Sequence, residues 1–297
     1  MQLYPKSPTC KIEGKYQFHL KRDDLLHPVL GGNKWRKMAW LWELEGVETI
    51  VSYGSLHSNA MAALALVARK KGWRFCYYAR LDGRSLAAPR GNLALALAHG
   101  MELRPIEELK IPDRNDLAST IRRGSTLIVP EGGRCPEAEL GVAQLAAELG
   151  AAANVYGFER IFLPSGTGTT ALFLQKHLGL KVYTTPCVGD AAYLRAQFAA
   201  LEPDSSRHPV ILEPPRRYRF GRLYKELYDL WNDLFESTRV EFDLLYDPVG
   251  FAALMHHDML GGRLCYIHQG GLGANATMLS RYKAKFATIQ PKREGVV

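Results

Sequence analysis

Short apolar runs alternate with stretches of helical periodicity along nearly the whole chain, and this alternation constrains the fold more than any other feature. Val47–Tyr53, Arg74–Tyr78, Thr126–Val129, Arg160–Leu163, Lys181–Tyr183, Val210–Leu212 and Leu264–Ile267 read as strands. Between them the spacing predicts helices over Ser58–Lys71, Asn92–Ala98, Asn115–Arg123, Ala138–Leu149, Thr169–His177, Ala191–Leu201 and Leu223–Phe235. A strand returning parallel to its neighbour needs a crossover, usually a helix, so the pattern argues for parallel sheets covered on both faces. The expected fold class is α/β. With 297 residues the chain exceeds the usual single-domain size of about 100 to 200 residues, so two lobes are expected, although no repeat, linker or low-complexity tract marks the boundary.

Composition removes several functions. The net charge of +8 invites nucleic acid as a partner, but the basic residues are scattered and their densest cluster, Pro214–Arg222, is short. A positive lobe around an anionic cofactor or substrate explains it as well, and no docking motif accompanies the charge, so no nucleic-acid partner is expected. No run approaches the roughly 20 apolar residues of a membrane span. Met1–Lys6 lacks the apolar region of a secretory signal, which gives an expectation of cytoplasmic residence. Five cysteines, an odd number with no Cys-x-x-Cys pair, indicate reduced thiols rather than disulfides or a zinc site, and no metal is expected.

Gly31-Gly32-Asn33-Lys34-Trp35-Arg36-Lys37 places a lysine where a Gly-Gly-Asn turn meets an apparent helix carrying Trp35, Met38, Leu41, Trp42 and Leu44 at helical spacing. The positive end of the helix dipole, together with burial, disfavours the ammonium form of Lys34. A neutral amine can form an imine with a carbonyl compound such as pyridoxal phosphate. A solvated surface lysine is the competing reading of these seven residues.

Leu163-Pro164-Ser165-Gly166-Thr167-Gly168-Thr169-Thr170-Ala171 lies between a strand and a helix. Glycines admit a ligand close to the backbone, helix N-terminal amides donate to phosphate, and the Ser165, Thr167, Thr169 and Thr170 hydroxyls can add donors. The segment lacks the lysine of a Walker loop and the third glycine of a dinucleotide fingerprint, which leaves a cup suited to a monophosphate or a merely structural turn. Lys37, three residues after Lys34 on the same helical face, could bring positive charge to that phosphate. A third segment, Tyr53–Ala60, again runs from strand to helix. Ser58 is well placed as an N-cap, and Ser58 and Asn59 can equally face a ligand at the carboxyl ends of the strands. His57 is either a proton carrier or an incidental loop histidine.

In this order, the motifs resemble the pyridoxal-phosphate enzymes of the 1-aminocyclopropane-1-carboxylate deaminase and D-cysteine desulfhydrase family. The likeness also takes in Lys21-Arg22-Asp23-Asp24, Pro130-Glu131-Gly132-Gly133-Arg134-Cys135, Asp247-Pro248-Val249 and His268-Gln269-Gly270-Gly271, so it spans most of the chain. The resemblance implies the two-domain tryptophan synthase β-like (type II) fold, with a larger domain over 1–43 and 136–297 and a smaller one inserted over 44–135. It implies that Lys34 holds the cofactor and carries protons, with Asn33 beside it. Asn59 would hydrogen-bond the cofactor's phenolic oxygen, and Ser165, Gly166, Thr167, Gly168, Thr169 and Thr170 would hold its phosphate near Lys37. Ser58 is expected to face the substrate carboxylate, with His57, Ala60, Tyr218 and Phe220 around the substrate. A small amino acid is the implied substrate and a homodimer the implied assembly.

Related sequences continue Asp-Pro-Val with Tyr, then Glu or Thr, then Gly-Lys, and in the deaminase the glutamate serves the pyridine nitrogen. Aligned on the Pro-Val pair, this chain reads Gly250 and Phe251 at those places, which leaves Gln269 as a neutral partner for that nitrogen. A second tyrosine of the deaminases falls near Phe220, with Tyr218 two residues away. Loss of these tyrosines argues against cyclopropane-ring opening and for β-elimination from D-cysteine or a similar amino acid. The alternatives are the deaminase activity itself and a cofactor-binding homologue with little or no catalysis.

Overall fold

A computed structural model describes residues 6–27, 31–111 and 119–286. Its strands, in chain order, are β1 (Thr9–Ile12), β2 (Phe18–Lys21), β3 (Thr49–Tyr53), β4 (Arg74–Ala79), β5 (Met101–Pro105), β6 (Ile121–Arg123), β7 (Thr126–Ile128), β8 (Arg160–Ser165), β9 (Lys181–Pro186), β10 (Val210–Ile211) and β11 (Leu264–Ile267). The helices are α1 (Gly31–Met38), α2 (Asn59–Lys71), α3 (Gly83–Ala87), α4 (Gly91–Ala98), α5 (Glu139–Tyr156), α6 (Thr169–His177), α7 (Ala191–Ala199), α8 (Lys225–Thr238), α9 (Asp247–His256) and α10 (Asn275–Lys285). Among these helices none is long and apolar enough to cross a membrane.

The strands form two sheets, one of six strands in the order β1-β2-β11-β8-β9-β10 and one of five in the order β5-β4-β3-β7-β6. Pairing is parallel except at one edge of each, where β1 pairs with β2 and β6 with β7 in antiparallel fashion. The near-continuous apolar stretch Ile161-Phe162-Leu163 of β8 is fully buried, as expected for a central parallel strand covered on both faces. The two parallel sheets flanked by helices are the α/β architecture expected from the alternation.

Local chemistry sets the helix ends around the future site. Ser58 caps α2 by accepting from the Ala60 and Met61 amides, and Gly72 ends that helix in the left-handed region. The helix expected at Asn115–Arg123 falls partly outside the described residues, and its described end is β6 instead. Gly124, at φ +59°, turns Arg123 back towards Thr126 and makes a hairpin where helical spacing was read. Helix α5 continues past Leu149 through Ala151-Ala152-Ala153 to a left-handed cap at Gly157.

Beneath α1 lies a buried ion cluster. Arg36 bonds Asp23 through Nε at 3.0 Å and Glu148 through Nη1 at 2.7 Å, while Lys21 Nζ reaches Glu148 at 2.6 Å. Lys21 and Asp23 therefore help to anchor α1, whereas Arg22 pairs with Asp24 on the cavity wall. An added Cβ on Gly141 would fall 2.0 Å from Arg36 O, so α5 can pass this close to α1 only with glycine there.

Candidate active site

The carboxyl ends of β3 and β7 in one sheet and of β8 and β11 in the other open onto a cavity of about 330 Å³. This is where open parallel sheets place their ligands. Its wall includes Asn33, Lys34, Lys37, His57, Ser58, Asn59, Phe220, Gln269 and the whole run Ser165–Thr170, which the sequence marked as separate segments. Two expected substrate residues are elsewhere. Ala60 is buried in the first turn of α2, its amide bound by Ser58 Oγ, and does not line the cavity. Tyr218 packs edge-on against Tyr224, in a cluster with Cys187, Leu227 and Val249, and also lies off the wall.

Lys34 stands in the first turn of α1, with Nζ 3.4 Å from Gly132 O. Burial pulls its amine down from the ordinary lysine value to about 8, against the hydrogen bond with Lys37 and the charge of Glu131. Lys37 is enclosed more fully. Burial and the neighbouring Lys34 hold it well below the lysine range.

The cup is built by the turn from β8 into α6. Gly168, at φ +71°, is the residue before the helix, and its added Cβ would strike Phe198 at 2.4 Å. Thr167 and Thr169 hydroxyls lie 3.0 Å apart, and Thr170 Oγ1 donates to Asn33 Oδ1 at 3.0 Å. Thr184 donates its proton to Leu163 O, so Ser165 must donate to Thr184 and its hydroxyl is directed away from an incoming anion. Asn33 also donates to Gln269 Oε1 at 2.8 Å, and Gln269 Nε2 donates to Pro164 O at 2.7 Å. Gln269 thus ties α1 to β8, with both ends of its amide engaged.

The alignment on Pro-Val is out of register by four residues. Phe251 is fully buried in the core, stacked on Tyr266 with centroids 4.3 Å apart and planes within 9°. The cavity is lined instead by Asp243, Leu245, Tyr246 and Asp247, and Asp243-Leu244-Leu245-Tyr246-Asp247 reproduces the spacing Asp-x-x-Tyr-acid. Tyr246 and Asp247 thus put a tyrosine and an acid on the cavity wall at that spacing. The Pro-Val dipeptide misled the alignment, and the signal that finds the true register is the Tyr-Asp pair three residues after an aspartate.

Tyr246 approaches Gly166, whose added Cβ would lie 3.4 Å from the phenol oxygen. Asp247 accepts from Tyr266 OH at 2.6 Å and from the Asp243 amide at 2.8 Å. Asp243 Oδ1 caps the Leu245 and Tyr246 amides, whereas its Oδ2 is buried with no hydrogen-bond partner among the described residues. Burial raises both carboxyls above the usual range. Glu131, which the Pro130–Cys135 motif contains but to which the sequence assigned no role, is a further acid on the cavity wall. Its Oε1 lies 2.5 Å from where a Gly54 Cβ would stand, and enclosure by protein atoms raises its carboxyl too, although one side opens into the cavity.

These groups fit pyridoxal phosphate on structural grounds. An enclosed amine of lowered pKa, a helix N-terminus at a glycine cup and an orphaned buried carboxylate oxygen lie on one cavity of suitable size. The chain has the fold of the type II pyridoxal-phosphate enzymes. A solved structure described as an ACC deaminase homologue superposes with a TM-score of 0.73 at 21% identity, covering 94% of this chain and 95% of that one. A putative 1-aminocyclopropane-1-carboxylate deaminase of Thermotoga maritima is 31% identical over 190 residues, 60% of each chain. A D-cysteine desulfhydrase of Yersinia pestis is 29% identical over 188 residues, 59% of this chain and 54% of that protein. The chain thus matches under two thirds of the length of these two relatives. No family model matches it. The resemblance carried by the motifs is borne out by similarity to proteins of both names.

Proposed function

We propose that the protein is a pyridoxal-phosphate-dependent lyase that removes the β-substituent of a small amino acid, with D-cysteine the leading substrate. The observation that carries this reading is the enclosed Lys34 amine, lowered to about 8, on the same cavity as the glycine cup. When bound, the cofactor supplies an electron sink for the electrons left by the departing α-proton. The α6 N-terminus and the Thr167 and Thr169 hydroxyls would hold its phosphate, Asn59 its phenolic oxygen and Asp247 its ring nitrogen.

Lys34, neutral near its lowered pKa, takes the α-proton. Ser58 accepts two amide protons through Oγ and can swing its own proton from Tyr77 to a substrate carboxylate at the N-terminus of α2. Glu131, on the cavity wall with its carboxyl raised by enclosure, can exchange a proton with the departing sulfur. Overall, D-cysteine and water give pyruvate, ammonia and hydrogen sulfide.

Phe220 supports elimination over ring opening. It lines the cavity 5.2 Å from the Tyr246 ring and has no hydroxyl where the deaminases use a second tyrosine. Tyr246 itself favours the deaminase as the second reading. A non-catalytic homologue is disfavoured, because Asp247, Tyr246 and Glu131 supply the acid/base groups such a protein would have lost.

The test is sulfide and pyruvate release from D-cysteine, run beside ketobutyrate release from 1-aminocyclopropane-1-carboxylate. Sulfide with little ketobutyrate is expected, and ketobutyrate alone reverses the ranking. Borohydride reduction and peptide mapping should place the cofactor on Lys34. An adduct on another lysine overturns the assignment. The homodimer is tested by sedimentation.

A further inference from the structure

Asn92, the second residue of α4, is buried and reaches back to the loop that carries Ser58 and Asn59. Its Nδ2 donates to His57 O at 3.0 Å and to Asn59 Oδ1 at 2.7 Å. A backbone carbonyl can only accept, so the end of Asn92 that meets His57 O is the nitrogen. The second proton of that same nitrogen goes to Asn59, which fixes Asn59 with its oxygen towards Asn92. Asn59 Nδ2 then points the other way, to the cavity and Gly271, where an added Cβ would fall 2.9 Å from it. Turning Asn92 over would set its Oδ1 against the His57 carbonyl oxygen, which can only accept.

We propose that Asn92 is a positioning residue that holds Asn59 with its amide nitrogen, not its carbonyl oxygen, facing the ligand. Without that lock the two ends of the Asn59 amide differ little in shape, and rotation by half a turn replaces a donor by an acceptor. An acceptor facing the cofactor's phenolic oxygen sets two electron-rich oxygens against each other. The sequence Gly91-Asn92 at the start of α4, with Asn92 itself on the cavity wall, is thereby tied to the chemistry of Asn59. This inference rests on the proposed pyridoxal-phosphate site.

The experiment uses Asn92→Asp, which keeps the shape and removes both donors, so that Asn59 turns its nitrogen towards the new carboxylate. Expected results are cofactor binding weakened about tenfold, as for one lost ligand hydrogen bond, and a shifted pH at which the bound cofactor's absorbance changes. Asn59→Ala should shift the absorbance in the same direction, and adding Asn92→Asp to it should change nothing more, because the two act as one unit. Asn92→Ala serves as the second variant if the aspartate impairs folding, with the same direction expected. A folded Asn92 variant with unaltered affinity and absorbance, or effects that add to those of Asn59→Ala, overturns the positioning role. Wild-type protein that takes up no pyridoxal phosphate overturns the proposed function and this inference together, whereas normal uptake with an indifferent Asn92 overturns only the latter.

Discussion

Lys34 and Lys37 stand one turn apart on α1 and share a hydrogen bond on the cavity wall, each enclosed by protein atoms. Burial is the main cause of the lowered pKa in both, and it acts on the charged form. An ammonium cannot attack a carbonyl carbon, so capture of pyridoxal phosphate by the cofactor-free protein depends on the neutral fraction of Lys34. With Lys34 lowered to about 8, that fraction grows as pH rises towards this value and saturates above it. The capture rate, followed by absorbance, should climb about tenfold per pH unit below the pKa and level off beyond it. A rate still climbing in the ordinary lysine range would show that this amine is not the one that reacts.

Asp247 and Phe251 lie one turn apart on α9 and should answer to different measurements. Asp247→Asn removes an ionisable group from the cavity and should lower turnover about 100-fold while altering the bound cofactor's absorbance. Phe251→Leu thins the stack on Tyr266 and should cost about 1–3 kcal/mol of stability in urea unfolding, with the absorbance unchanged. The reverse pattern would restore the Pro-Val register and remove Asp247 from the site.

The strand and helix alternation, the Lys34 turn, the glycine cup and the Ser58-Asn59 cap were all legible because each depends on residues adjacent in the chain. Elements whose identity is set by distant pairing were not. Strands β1 and β2 are short and form the edge hairpin against β11, and α10 carries mixed polarity that settles only on packing. Gln269 was read as a ligand group because its position by the glycines was visible, whereas its engagement by Asn33 and Pro164 was not. Asp243 escaped for the same reason, since only the fold leaves its Oδ2 without a partner among the described residues.

Arg36 is sandwiched between Asp23 and Glu148, and the three are almost wholly shielded from solvent. Removing one partner of such a cluster leaves a buried charge uncompensated. Glu148→Ala strips Arg36 and Lys21 of a shared anion and should cost about 3–5 kcal/mol, measured by urea unfolding. Since α1 carries Lys34 on top of this cluster, cofactor capture should slow as well. A loss below about 1 kcal/mol would mean that the cluster is relaxed by water and does not anchor α1.

Phe220 lines the cavity against Tyr246, and the proposed preference for elimination turns on its missing hydroxyl. Opening a three-membered ring requires a proton to reach a carbon as the bond breaks, whereas a departing sulfur accepts its proton readily and can leave as a stable anion. The second reaction therefore tolerates a site with fewer phenols. Phe220→Tyr adds one hydroxyl at the rim without changing the shape of the ring, and the exposed position of Phe220 leaves room for it. The variant should raise ketobutyrate release from 1-aminocyclopropane-1-carboxylate about tenfold or more, the lower range of what a positioned acid contributes, while sulfide release from D-cysteine changes little. If ketobutyrate release stays at the wild-type level in a folded, cofactor-loaded variant, the hydroxyl at this position does not decide between the two reactions, and selection lies with other groups on the cavity wall, Lys34 and Tyr246 first among them.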